Sequence, residues 1–317
     1  VHYRQRDVHG DWVGGPMYYI TNGMGAKWKW LAVVFAVFAV LASFGIGNMS
    51  QVNSITGSIT DAINVFFNLS EAGKTTVHWI LGISMALLIA VILLGGIKRI
   101  GSVTEKLVPF MSVIYIIVCV VVLICHAQNI PGALVKIFSA AFAPRAVMGA
   151  ASGIALKQAI VWGLRRSAFS NEAGLGSAGI AHAAADAPSA VDQGLYGIFE
   201  VFMDTLVICS LTALTIICSG IDISFGTKPG SELIMAAFST VFGEKFSSLF
   251  VAVALMLFAF STVLGWALYG TRCTQYLFGS NSIRIYQVIF ALIIVVGCVS
   301  PIDVVWDVAD TFNGLMA

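Results

Sequence analysis

Six long apolar runs constrain this chain more than any other feature. They are Leu31–Gly47, Trp79–Ile97, Leu107–Cys125, Val201–Ile221, Leu249–Tyr269 and Ile285–Val299, each 15–21 residues long. A helix that crosses a bilayer needs ~20 predominantly apolar residues, so several runs must borrow flanking residues to span. Strands of a membrane barrel would be ~10 residues long with alternating polarity, and none of these runs alternates. Helices then remain as the way to satisfy backbone groups in lipid.

Composition agrees with that reading. Of 317 residues, 58% are hydrophobic and 10% charged, where a soluble domain carries about 25% charged residues. Seventeen Lys and Arg with sixteen Asp and Glu cannot cover a soluble surface. An ordinary soluble enzyme, a disordered chain and a nucleic-acid binder are excluded. The net charge of +1 says nothing about partners. Cys119, Cys125, Cys209, Cys218, Cys273 and Cys298 show no metal or redox spacing and read as small packing residues.

The whole of 1–317 reads as one transmembrane domain with about eight spans. Residues 1–30 are polar, aromatic and Gly-rich, without a signal-peptide pattern, and read as a loop. Gly230–Phe242 is amphipathic and too short to span, so it is expected as a short helix within a loop at 222–248. Arg4, Arg6, Lys27, Lys29, Lys98, Arg99, Lys106, Arg272 and Arg284 fall in loops on one side. By the positive-inside rule these short loops make 1–30 cytoplasmic and 222–248 extracellular, against the basic residues between Lys136 and Arg166. Two segments are less regular. Ala150–Ala185 is moderately apolar but interrupted by charges and glycines, and Ile302–Ala317 carries Asp303, Asp307 and Asp310. The start at Val1 and the stop in apolar Phe312–Ala317 suggest a piece of a longer protein.

Polar groups inside apolar runs are costly and therefore functional candidates. Glu200 and Asp204 lie at i and i+4, on one face of a helix. They suit cation binding, a proton relay or a structural role. In Phe169–Ser177, Asn171, Glu172, Gly174 and Gly176 interrupt two apolar half-segments. A broken helix would supply a positive N-terminus for a carboxylate and carbonyls for a cation; a plain glycine loop is the alternative. Gln51 lies in Ser43–Ser54, a run whose Gly45, Gly47, Asn48 and Asn53 suit either ligand binding or helix–helix packing. Ser261 and Thr262 offer hard oxygen ligands for a cation, with Trp266 one turn on. Hydroxyls bonded back to their own helix are the alternative. His182 has no second ligand at metal spacing, and no phosphate loop, nucleophile elbow or HExxH is present.

Several motifs together carry a resemblance. They are Val13–Ile20, Ser43–Met49, Gly95–Ile100 with Thr104–Phe110, Ser170–Ser177 with Ile180–Ala185, Asp204–Thr205 and Phe258–Thr262. In this order they resemble the alanine or glycine:cation symporter family (sodium:alanine symporters) of the amino acid–polyamine–organocation superfamily. The resemblance implies an all-α, leucine-transporter-like fold of two inverted five-helix repeats. Leu31–Gln51 would be its third core helix, Gly153–Ala185 the broken sixth and Leu249–Tyr269 the eighth. The chain would then lack the first two core helices and the C-terminal end, and carry only half a binding site. Gln51, Phe169 and Trp266 are implied in the substrate pocket, with Asn171 and Gly174 from the broken segment. Ser261 and Thr262 are implied as sodium ligands; Glu172, Glu200 and Asp204 stand, on their polar character alone, as possible coupling or structural carboxylates. Gly179 stands where the family is associated with proline.

The expected function is symport of a small neutral amino acid, alanine or glycine, with sodium as the co-transported ion, in a cell membrane. No organic cofactor is expected. Proton coupling is the alternative, and an intramembrane enzyme or a channel the distant ones.

Overall fold

The computed structural model describes residues 1–8, 10–142, 160–161, 163, 172, 174–223 and 231–316. Among these, six helices are long and apolar enough to cross a membrane: Ala26–Phe67, Glu71–Leu94, Arg99–Cys125, Ala190–Cys218, Glu244–Phe278 and Ser280–Val299. Each falls on one of the six apolar runs. The short helix expected before Leu249 forms at Glu232–Phe242. Ile302–Met316 is a further helix of 15 residues. Most of the segment expected to be a broken helix lies outside the described residues; within it, Ala178–Ala184 is helical.

In chain order, β1 (Gln5–Arg6) and β2 (Trp12–Val13) form an antiparallel hairpin. Arg4 and Arg6 each hold their guanidinium 4.0 Å from the Trp12 ring centroid. A single turn, α1 (Pro16–Tyr19), follows with Met17 fully buried. The segment read as a loop is therefore folded against the bundle.

Helix α2 (Lys29–Phe44) runs through a π-helical stretch, Gly45–Met49, into α3 (Ser50–Phe67). At 1.5 Å per residue, the 42 residues of Ala26–Phe67 reach roughly twice the ~30 Å hydrocarbon core. Next come α4 (Glu71–Leu94), α5 (Gly96–Cys125) and α6 (Ile130–Phe142). After them come α7 (Ala178–Ala184) and α8 (Ala190–Val201). Another π-helical stretch, Phe202–Cys209, joins α8 to α9 (Ser210–Cys218). The remaining helices are α10 (Glu232–Phe242), α11 (Glu244–Phe278), α12 (Ile283–Val299) and α13 (Ile302–Met316).

The long helix α11 is the axis of the packing, against α2, α3 and α5. One core cluster joins Val52, Ile55, Ile89, Leu93, Val263 and Phe290 from α3, α4, α11 and α12. A second joins Met17, Ala36, Ile46, Ile180 and Trp266. Ala32, Ala36, Ala39 and Ala42 are fully buried along one face of α2, where small side chains let the neighbouring helices approach. The outer faces are apolar too. Ile83, Leu87 and Leu94 on α4 and Ile285, Val288 and Leu292 on α12 are exposed, as lipid-facing residues must be.

Candidate functional site

The polar candidates converge on a cavity of about 580 Å³ between α5, α7, α8 and α11. That volume lies within the range of small-molecule sites, about 300–1,000 Å³. Ser261, Thr262, Gly265, Leu268 and Tyr269 line it from α11, the spacing of one face of an α-helix. Ile100, Gly101, Thr104 and Val108 repeat that spacing from α5. Glu172, Ala181, Ala184, Ala185 and Glu200 complete the wall.

Glu172 reaches this wall from a tight turn. Its carbonyl accepts from the N–H of Leu175 at 3.1 Å and of Gly176 at 3.0 Å. Glu172 has φ +59° and Gly176 φ +76°. The second value suits glycine; the first is a conformation that a side chain pays for and that often marks a site. The Ser177 hydroxyl donates to Glu172 Oε2 at 3.1 Å, and Tyr269 and Trp266 also interact with that carboxyl. Helix α7 begins at Ala178, directly after this turn.

The hydroxyl pair bonds back to its own helix. Ser261 Oγ and Thr262 Oγ1 donate to the Phe258 carbonyl at 2.8 and 3.1 Å. A hydroxyl that donates backward keeps its lone pairs, so both oxygens remain able to accept from a ligand or coordinate a cation. Among the described residues no group of three or more His, Cys, Asp or Glu is placed to hold a metal. A hard cation here would depend on hydroxyls, carbonyls and the carboxylates of Glu172 and Glu200.

The structure does not bring every candidate to this cavity. Trp266, 1% exposed, packs against Gly47 and stands edge-on to Tyr269 at 5.5 Å. A side chain at position 47 would collide with its ring. Gln51 donates to the Ile46 carbonyl at 3.2 Å and lies outside the lining. Asn48 donates to the Phe290 carbonyl at 2.8 Å, and Asn53 to those of Gly297 and Ser300, so these amides join helices. Gly174 is exposed and clear of neighbours. Phe169 and Asn171 lie outside the described residues.

Glu200 and Asp204 separate in the same way. Glu200 lies in the last turn of α8 and lines the cavity, whereas Asp204 lies in the π-helical stretch and does not. The wider turn breaks the simple i,i+4 alignment, and such stretches are frequent at functional sites. His182 Nδ1 pairs with Gln193 Nε2 at 2.7 Å, and its Nε2 lies 3.8 Å from Glu200.

Sequence reasoning missed Tyr269 and Gly265 as wall residues. Their i+8 and i+4 spacing from Ser261 was the available signal. It also missed Asp7 and Arg272, a buried ion pair at 3.1 Å between residues 265 positions apart. No local pattern announces such a pair.

A family model described as the sodium:alanine symporter family matches residues 1–317. Three curated relatives show the range of similarity. The sodium/alanine symporter AgcS of Methanococcus maripaludis is 40% identical over 321 residues, covering 100% of this chain and 67% of the relative. An uncharacterized transporter of Haemophilus influenzae is 37% identical, with 100% and 67% covered. The probable sodium/glutamine symporter GlnT of Bacillus subtilis is 37% identical, with 99% and 62% covered. The chain thus spans about two thirds of the length of these relatives.

Proposed function

This chain belongs to the sodium:alanine symporter family, and on that premise we propose that it carries small neutral amino acids together with sodium by alternating access. It is a multi-pass membrane protein of a cation-coupled amino acid symporter family, not an enzyme. The proposal concerns the cargo, the ion and the residues that handle them.

The observation that carries it is the shared cavity, where Ser261 and Thr262 face Glu172 across a space large enough for a small amino acid. Sodium is a hard cation and suits the two hydroxyl oxygens with a nearby carboxylate. Its charge would favour the carboxylate of an amino acid bound beside it, and closing the cavity around both would couple their movements. The turn that ends at Ser177 brings the Glu172 carboxyl to the start of α7, and substrate sites between half-helices are built at such helix starts. Trp266, buried behind Tyr269, would limit pocket size toward alanine and glycine. Phe169 and Asn171 stand outside the described residues and are assigned to the pocket by their place in the sequence pattern, whereas Gln51 and Gly174 do not line this cavity. In the proposed leucine-transporter-like arrangement, residues 1–30 face the cytoplasm and 222–248 the outside.

Proton coupling is the second reading. It is favoured by one arrangement, two carboxylates, Glu172 and Glu200, on one cavity wall with His182 3.8 Å behind Glu200.

Labelled-alanine counterflow in liposomes separates the two. It is run with and without sodium, on this chain and on a form extended to its relatives' length. Exchange that requires sodium supports the proposal. Exchange that ignores sodium and follows a proton gradient favours the second reading, and accumulation of neither alanine nor glycine overturns the cargo.

A further inference from the structure

We propose that Asp7, Arg272 and Gln275 form a latch that closes the candidate cavity toward the membrane face carrying residues 1–30, an inference that rests on the transport reading only for what passes the latch. Arg272 Nη1 donates to Asp7 Oδ2 at 3.1 Å and to Gln275 Oε1 at 2.6 Å. Its Nη2 donates to the Trp12 carbonyl at 3.2 Å. Gln275 Nε2 donates to the same Asp7 oxygen at 3.1 Å and to Ser280 Oγ at 3.3 Å. Asp7 follows β1 and Trp12 opens β2, so the guanidinium grips both sides of the hairpin. From the hairpin's start, Arg4 Nη1 donates to the Ala185 carbonyl at 2.8 Å, just past the end of α7. One small hairpin therefore ties α11 to α7, two of the elements that wall the cavity.

A second cavity, about 120 Å³, lies directly beside the latch. Asp7, Asp11, Thr271, Arg272 and Gln287 line it, and so do Ile100 and Leu268. Those last two also line the 580 Å³ cavity. Both are buried and line both spaces. A path from the candidate site to this face thus meets two apolar side chains and then the ion pair.

The chemistry of the pair suits a reversible closure. The Arg272 and Asp7 side chains are 4% and 7% exposed. The attraction within a buried pair is largely offset by the loss of hydration of both charges. Arg272 Nε, moreover, has no hydrogen-bond partner among the described residues. When water enters, both charges recover hydration, so the open arrangement lies close in free energy to the closed one. An apolar contact of the same area would lack this property. A segment that only anchored the hairpin would not need its charges in the wall of a cavity that abuts the site.

Gly265→Cys tests this, because a Cβ at that position meets no atom within 4 Å and the residue lines the larger cavity. Alkylation of the new thiol by a membrane-impermeant maleimide is timed from each face of the membrane. Protein without the substitution gives the background from the native cysteines. Asp7→Asn and Arg272→Gln should each raise the rate about tenfold from the face carrying residues 1–30 and leave the other face unchanged. Asp7→Glu, which keeps the charge, should remain slow, and the swap D7R/R272D should return toward the slow rate. An equal rise from both faces overturns the latch. So does an unchanged rate in Asp7→Asn protein that keeps its melting temperature, or a swap as open as the single variants. The readout needs neither substrate nor ion, so a failure of uptake would count against the transport reading alone.

Discussion

The two faces of α11 are built to opposite specifications. Toward α3, α4 and α12 it presents Val263, Leu264 and Ala267, all fully buried in one continuous apolar cluster. Toward α5 and α7 it presents Ser261, Thr262, Gly265 and Tyr269 to open space. The same backbone thus serves as a fixed rail on one side and as a wall of the site on the other. The lesson is that damage on the packed face should appear first as lost stability, and damage on the cavity face as lost transport.

Phe290→Ala on α12 should have the largest effect. Phe290 is fully buried in the rail-side cluster, with Tyr286 and Phe44 rings 5.7 and 6.3 Å away. Truncating such a ring removes apolar contact and leaves a cavity, at a cost of about 3–5 kcal/mol. Reversible unfolding in detergent measures it. A loss below about 1 kcal/mol would mean the rail side is not the tightly packed partner that the comparison requires.

Thr262→Ala probes the other face. The hydroxyl sits in the cavity wall and, among the described residues, bonds its own helix at Phe258. Its removal should leave the melting temperature nearly unchanged, because Ala suits a helix at least as well as Thr. The sodium concentration for half-maximal alanine uptake should rise about tenfold, as for loss of one oxygen worth ~1.4 kcal/mol to a bound cation. A matching fall in stability with unchanged sodium response would erase the distinction between the faces.

How much of this the sequence carried follows from the same contrast. The rail side was legible because it consists of long apolar helices. All six runs became helices of spanning length, and Glu232–Phe242 formed where a short amphipathic helix was expected. On the cavity side, Ser261, Thr262, Glu172 and Glu200 could be singled out as polar groups in apolar surroundings, and they do line one cavity. Trp266 and Gln51 could not be placed, because helix spacing fixes a face and not the neighbour it meets. Trp266 turns to Gly47, and Gln51 to its own helix. Asp204 escaped because a π-helical stretch changes the period on which the i,i+4 argument depends. The Asp7–Arg272 pair escaped because only the folded hairpin brings its members together.

The smallest expected effect comes from one substitution made twice on α11. At Gly265 an added methyl enters open space, so Gly265→Ala should leave stability equal or raise it by up to ~1 kcal/mol through helix propensity. At Gly270 the same methyl would fall on the buried Tyr286 hydroxyl, which is hydrogen-bonded to Ser43 at 2.8 Å. There the propensity gain is outweighed by overpacking, typically 1–3 kcal/mol. The two glycines lie five residues apart on one helix, so propensity is common to both variants. The difference between their melting temperatures therefore isolates what each face of α11 meets. Equal melting temperatures would show that the helix does not distinguish its faces, and the division between rail and wall would fail.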